Sequence, residues 1–252
     1  MYTDQTIRIK TLLILFLLIG LASPFQAQTP QKDVQDQEQV WLAYFNQSRL
    51  SKHWGAWLDL HARRVDWLDR WNTMIVRPGI TYYVNDHVRI TAGYAWVGHF
   101  PNAETLRPEH RPWQQVLWTS RSKKLQTQQW VRLEERFNRK FDNGELQEGH
   151  DFNFRVRYLL ALLVPLKGDY IQKGVPFLSF NDEVHLNAGK QIVYNYFDQN
   201  RLFLGIGYQF TKSLNAQVGY MNLFQQLPQG NRFNNNHVIR LFFFHNLDLR
   251  KQ

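Results

Sequence analysis

The stretch Val88-Arg89-Ile90-Thr91-Ala92-Gly93-Tyr94-Ala95-Trp96 alternates apolar and polar residues. Successive side chains of an extended strand point to opposite faces, so this alternation gives the strand one apolar face and one polar face. A strand that crosses a bilayer needs about 9–11 residues with such alternation. The stretch therefore predicts a β-strand long enough to span a membrane.

Similar runs follow one another along the chain, and no segment with helical periodicity interrupts them. The connectors between them alternate between short ones and longer ones that carry Gly, Pro, Asn or charge, as in 98–112 and 138–151. Tight turns at one rim and long loops at the other are typical of bacterial outer-membrane barrels, whose tight turns are periplasmic. The eleven runs are 40–47, 54–64, 73–84, 88–97, 113–120, 125–137, 152–164, 176–187, 202–210, 214–224 and 238–247.

These runs predict an all-β protein, a single antiparallel up-and-down transmembrane β-barrel. Single-chain bacterial barrels have even strand numbers, so a count of eleven is inconsistent with this class. We therefore expect about 12 strands, within a range of 10–12, by the same parity rule. The additional strand is sought at 192–197 or 165–180, or in the segment 28–39 if that segment crosses the wall or the lumen.

Residues 1–27 have the three parts of a secretory signal: a start that carries Arg8 and Lys10, an apolar run at 12–19, and small residues up to Ala27. The apolar run is half as long as the ~20 residues of a membrane-spanning helix. We expect cleavage near Ala27, a periplasmic segment over 28–39 and a barrel domain over 40–252. Export combined with strand-based insertion predicts the outer membrane of a Gram-negative bacterium.

The composition excludes several classes of function. The chain contains no cysteine, which excludes disulfides, thiolate metal sites, cysteine nucleophiles and a lipidated N-terminal cysteine. The net charge is +9, but the basic residues are scattered along the strands instead of forming the patch or stripe that nucleic-acid binding requires. We expect no nucleic-acid partner.

Alternation alone does not distinguish a membrane barrel from a soluble one, because a barrel of lipocalin type has its apolar face inside. Charges of both signs on the same face of neighbouring runs favour an enclosed polar lumen, as in a membrane barrel. Aromatic residues near the ends of the runs favour it too, since interfacial belts lie at that level. These residues are Trp41, Trp54, Trp96, Trp113, Phe137, Phe177, Phe210 and Phe224.

Several short motifs recur in a fixed order along the chain. They include Arg77-Pro78-Gly79-Ile80-Thr81-Tyr82, Glu109-His110-Arg111-Pro112-Trp113-Gln114-Gln115, Arg132-Leu133-Glu134-Glu135-Arg136-Phe137 and Arg155-Val156-Arg157-Tyr158. In these motifs the mature chain resembles the bacterial family catalogued as domain of unknown function 2490, whose members are regarded as outer-membrane β-barrels. The resemblance implies the fold and the location, but no activity.

A set of arginines and glutamates shares the polar face of the strands and forms the candidate site. In one reading these residues fill the lumen and neutralise one another, because an unpaired buried charge is costly. In the other, an arginine excess in a water-filled lumen sets an anion preference, with the set as the ligand or ion contacts. The set is Arg77, Glu109, Arg111, Arg132, Glu134, Arg136, Arg155, Arg157, Glu183 and Arg201.

No catalytic or metal-binding motif is present: there is no His-Glu-x-x-His pair and no Gly-x-Ser-x-Gly elbow. We expect no cofactor, no metal and a non-enzymatic barrel, either structural or a narrow anion-leaning, porin-like conduit. The alternatives are an outer-membrane lipid-modifying enzyme, for which Ser120, His61 and His185 are nominated by residue type alone, and a soluble periplasmic ligand-binding barrel. The expected partners are outer-membrane lipid and lipopolysaccharide, and the barrel-assembly machinery during biogenesis, with a monomeric state.

Overall fold

The computed structural model describes residues 31–250, so the predicted signal sequence and its cleavage point lie outside the described residues. Within this range no helix is long and apolar enough to cross a membrane. The regular elements of the described chain are strands that form a closed barrel. They are β1 (Asp33–Arg49), β2 (Trp54–Val65), β3 (Arg70–Tyr83), β4 (Val88–His99), β5 (Arg107–Ser122), β6 (Leu125–Asp142), β7 (Glu145–Pro165), β8 (Pro176–Ala188), β9 (Phe197–Gln209), β10 (Leu214–Gln226) and β11 (Arg232–Asp248).

The barrel closes through a parallel pair. Strands adjacent in the chain pair antiparallel, whereas β1 and β11 run parallel from Asp33↔Arg232 to Arg49↔Asp248. Each hairpin reverses the chain direction, so an odd number of strands leaves the first and the last pointing the same way. The expected range of strand numbers includes this barrel, but the preference for an even number and the expectation of antiparallel pairing throughout were wrong. Residues 166–175 and 189–196 are connections and supply no additional strand.

The two rims of the barrel carry different connections. The upper rim, where β1 begins, carries 66–69, 100–106, 143–144, 189–196 and 227–231, and the lower rim, where β11 ends, carries 50–53, 84–87, 123–124, 166–175 and 210–213. Strand β1 begins at Asp33, so residues 33–39 lie in the wall of the barrel. They belong to the segment 28–39, which the sequence predicts to be periplasmic or, alternatively, to cross the wall or the lumen.

The predicted long connection 138–151 is mostly strand. Asn143 and Gly144 alone join β6 to β7, with φ of 50° and 86°, which fits the type I′ turn that matches the twist of a hairpin. Strand β5 pairs with β6 only as far as Asn138, and β8 pairs with β7 only from Phe154. The hairpin tip therefore extends beyond the wall, where both faces meet solvent, and this explains its polar composition.

The two faces of the wall differ sharply in chemistry. On β6, Arg132 and Glu134 are 3% and 0% exposed, whereas Val131 and Leu133 are 41% and 37% exposed. The same alternation continues on neighbouring strands, where arginines point inward and aliphatic or tyrosine side chains point outward. The polar face therefore lines the lumen, and the apolar face forms the outer surface.

The lumen also holds apolar side chains. One inward cluster centres on Trp41 and Phe203, and a second on Trp113. Three aromatic residues that the sequence assigned to interfacial belts, Trp41, Trp113 and Phe177, are buried in the interior instead. Their strand registers turn them inward, where they fill space. A Cβ at Gly207 would overlap the ring of Phe177, so glycine at that position makes room for it.

Candidate functional site

Glu134, on β6, is the centre of a charge network inside the barrel. Nη2 of Arg155 and Nη1 of Arg157, both on β7, each lie 2.6 Å from its carboxylate. Arg111 and Arg132 lie farther away, at 3.7 and 3.9 Å. Glu134 and Arg155 are Cα partners across the β6–β7 ladder, so the strand register itself brings these opposite charges together. One fully buried carboxylate thus faces four guanidinium groups.

Glu109, on β5, extends the network toward the upper rim. Its carboxylate accepts hydrogen bonds from Nε of Arg111 at 2.6 Å and from Nε of Arg136 at 2.9 Å. Nε2 of His99 lies 2.8 Å from the other oxygen. Arg111 also contacts Glu134, so the two glutamates share one arginine.

Glu183, on β8, extends the network in the other direction. It accepts a hydrogen bond from Nε of Arg157 at 2.8 Å, and Nη1 of Arg201 lies 3.5 Å away. Nε2 of His185 lies 3.0 Å from the same carboxylate. Nine of the ten predicted site residues are joined in this way: Glu109, Arg111, Arg132, Glu134, Arg136, Arg155, Arg157, Glu183 and Arg201.

Arg77, the tenth predicted residue, pairs with a carboxylate outside the predicted set. Its Nη1 lies 3.2 Å from Asp59, which also accepts a hydrogen bond from Trp57 and lies 3.2 Å from His61. A second such carboxylate is Asp198, 2.9 Å from Nη1 of Arg155. Asp59 lies on the inward face of β2, and the alternation of residues in the sequence already indicates this position. Asp198 lies between two predicted strands, in a stretch that the sequence predicts to be a loop.

Arginine side chains outnumber carboxylate side chains in the lumen. Eleven arginines line two adjoining cavities of the lumen, whereas five carboxylates are buried in the interior: Asp59, Glu109, Glu134, Glu183 and Asp198. Of these eleven arginines, Arg63, Arg89 and Arg240 make no ion pair with another described residue. Arg63 lies instead 3.6 Å from the ring centroid of Trp41, and Arg240 lies 3.3 Å from that of Phe203. These stacks are cation–π contacts, which do not neutralise the charge.

Two adjoining cavities lie one above the other in the lumen. The upper cavity has a volume of about 360 Å³ and the lower one about 230 Å³. Five residues from both sides of the barrel line both cavities, and we call them the arginine constriction. They are Arg63, Arg77, Arg157, Arg201 and Trp41.

Comparison with known proteins places the chain in a family. A family model described as "Protein of unknown function (DUF2490)" matches residues 38–234. The chain belongs to this family. The match confirms the resemblance expected from the sequence motifs.

One relative of the DUF2490 chain is an uncharacterized protein of Methylorubrum extorquens, which is 27% identical over 150 residues. The alignment covers 59% of this chain and 62% of the relative, so the chain spans less than two thirds of that protein's length. No solved structure matches the chain.

The residues nominated for catalysis do not come together in the DUF2490 barrel. Oγ of Ser120 bonds to Oγ1 of Thr127 at 2.6 Å, whereas His61 and His185 lie in the lumen beside Asp59 and Glu183. Within residues 31–250, no serine hydroxyl hydrogen-bonds to a histidine, and no group of three metal-ligating side chains forms.

Arg49 makes two polar contacts at the lower rim, one with the β3–β4 turn and one beside the parallel seam. Nη1 of Arg49, at the end of β1, donates to Asp86 in the β3–β4 turn at 2.7 Å, and this hydrogen bond lowers the pKa of the Asp86 carboxyl. The backbone oxygen of Arg49 accepts from the amide of Leu249, just after β11. The seam therefore continues to the end of the wall.

Proposed function

We propose that this DUF2490 protein is a monomeric outer-membrane β-barrel that acts as a narrow conduit with a preference for small anions. Membrane insertion is supported by the outer face, where large apolar side chains such as Ile80 and Leu204 are 65% and 62% exposed. Soluble monomers rarely expose contiguous apolar patches above a few hundred Å². Outer-membrane lipid and lipopolysaccharide would cover this face, after insertion by the barrel-assembly machinery.

The arginine excess along the lumen carries the proposal of anion preference. Rings of charged side chains set the ion preference of pores, and Arg or Lys rings favour anions. The arginine constriction is where such a preference would act, because its residues come from opposite walls and line both cavities. An anion in transit would meet Arg63, whose charge no carboxylate in the described chain neutralises.

The competing function is a closed structural barrel. The density of ion pairs around Glu134 and Glu183 favours it, since these side chains occupy the lumen beside β6, β7 and β8. Small barrels enclose little more than side chains. A structural barrel and a narrow conduit share the same fold, so conductance is the property that separates them.

The test is ion conductance of the purified protein in planar bilayers, combined with a phospholipid-release assay on the same preparation. We expect a small stable conductance whose reversal potential in a salt gradient indicates anions, with no lipid release. Arg63→Gln is expected to reduce the anion preference without unfolding the barrel, because Arg63 has no carboxylate partner to strand. Arg64→Gln, one residue away on the outer face, is the matched control and should leave the preference unchanged.

Three outcomes would overturn the proposal. Cation preference would contradict the role of the arginines. Silence in both assays would identify a structural barrel. Lipid release abolished by replacement of His61 or His185 would identify the lipid-modifying enzyme.

A further inference from the structure

The lower cavity has an aromatic wall that the upper cavity lacks. Phe45 and Phe244 stack with ring centroids 4.9 Å apart, and Phe242 packs against Phe45 at 5.4 Å. Trp57 and Trp130 line the same cavity. Among the described residues, the upper cavity is lined by a single Phe, Tyr or Trp side chain, Trp41 of the arginine constriction. The lower cavity therefore offers an apolar surface that a simple inorganic anion would not use.

The same cavity presents arginines that form no ion pair with a carboxylate of the described chain. Arg240 is almost fully buried, and its guanidinium lies against Phe203 and Phe242. Its Nη2 donates to the amide oxygen of Asn181 at 2.8 Å when that amide is oriented to accept. Its Nε has no hydrogen-bond partner in the described chain, and the same is true of Nε of Arg89 on the wall of this cavity.

The carboxylate of the lower cavity is already paired with other side chains. Of the described residues, Glu183 is the one carboxylate that lines the lower cavity, and Arg157, Arg201 and His185 all contact it. Burial of a charge without a direct ion pair is unfavourable, and an anion that enters the cavity would supply such a pair to Arg240. Charge-assisted hydrogen bonds from arginine to carboxylate are strong and directional.

The lower cavity adjoins an opening at the lower rim. A further cavity of about 370 Å³ shares Gln126 and Asn215 with the lower cavity, and it is bordered by the connection 166–175. Lys173 and Lys212 line this mouth. Positive charge at the entrance to a cleft raises the local concentration of anions.

We propose that the lower cavity is a binding site for a small amphipathic anion, a carboxylate that carries an aromatic or short aliphatic group. The carboxylate pairs with Arg240, and the apolar group packs against Phe45, Phe242 and Phe244. The volume of about 230 Å³ fits a ligand the size of a benzoate or a short fatty acid. This proposal rests on the anion preference of the lumen proposed above and names the ligand class.

The test is calorimetric titration of the purified full-length barrel in detergent with benzoate, benzyl alcohol and sulfate. Benzoate should bind, whereas benzyl alcohol lacks the charge and sulfate lacks the apolar group, so each should bind at least ~10-fold more weakly. Arg240→Met should weaken benzoate binding by about 10–100-fold, the loss expected for a charge-assisted hydrogen bond. Arg107→Met, on the wall of the upper cavity, is the control and should bind benzoate normally.

Folding of Arg240→Met is checked by its heat-dependent shift in gel migration, and we expect it to fold, because methionine removes a buried unpaired charge. Binding of benzyl alcohol or sulfate as tight as that of benzoate would refute the proposal, as would unchanged benzoate binding by a folded Arg240→Met. Benzoate binding without conductance would retain this site and refute the conduit. Anion-selective conductance without benzoate binding would refute this site alone.

Discussion

Replacement of Glu134 by glutamine removes the charge at the centre of the network while it preserves the shape of the side chain. Arg155 and Arg157 then each lose a carboxylate that lies 2.6 Å away in a fully buried position, although Arg155 keeps Asp198 and Arg157 keeps Glu183. With a charge separation of about 4 Å and an effective dielectric constant of about 20, each lost attraction is worth ~4 kcal/mol. Desolvation of the charges offsets much of this, and removal of one partner of a buried pair costs about 3–5 kcal/mol. We expect the free energy of unfolding to fall by that amount.

The assay is denaturant-induced unfolding from lipid vesicles, followed by tryptophan fluorescence. Glu135→Gln is the control, because Glu135 is the next residue on β6 and points outward, where Gln114 donates to it at 3.4 Å. It should change stability by less than about 1 kcal/mol, as partly exposed polar pairs do. The double variant Glu134→Gln with Arg132→Met should recover part of the loss, because Glu134 is the one carboxylate of the described chain that forms an ion pair with Arg132. Equal effects of Glu134→Gln and Glu135→Gln would refute the network as a source of stability.

The remaining predictions concern location, closure and packing. The protein should fractionate with outer membranes and shift in gel migration on boiling, and recovery in the soluble fraction after osmotic shock would contradict membrane insertion. The pair Leu42→Cys with Leu241→Cys, Cα partners across the parallel seam, should form a disulfide, while Leu42→Cys with His245→Cys should not; the reverse would contradict this closure. Gly207→Val should destabilise the barrel by about 1–3 kcal/mol, because its side chain overlaps the ring of Phe177, and unchanged unfolding would show that the lumen is loosely packed.

The faces of the strands can be predicted from the alternation of side chains, because a strand has a fixed period of two. Alternation alone puts Arg132 and Glu134 on one face of β6 and Leu133 on the other, and their burial confirms this. Whether the number of strands is even or odd cannot be predicted from this alternation. It is settled by the strand that pairs with the free edge of β1, and that strand, β11, lies about 200 residues away in the chain.

Residue type alone also gives an incomplete account of the lumen. Trp41 and Trp113 are of the residue type that is common at membrane interfaces, yet their side chains point inward. Their direction follows from the strand register, which only the pairing of the strands fixes. Arg63 and Arg240 lie on inward faces like the predicted arginines. What distinguishes them is that neither forms an ion pair with a carboxylate of the described chain, and this depends on contacts between strands that are distant in sequence.

Membrane insertion with arginines inside and apolar residues outside is the central claim, and collision accessibility of spin labels tests it most directly. The native chain has no cysteine, so Leu133→Cys or Val156→Cys carries a single label on the outer face, and Lys124→Cys carries one in a lower-rim turn. In bilayers, the labels at Leu133 and Val156 should collide more often with oxygen than with a water-soluble nickel chelate, and the label at Lys124 should show the reverse. Preferential nickel collision at Leu133 and Val156 would contradict the claim, because the outer face would then lie in water.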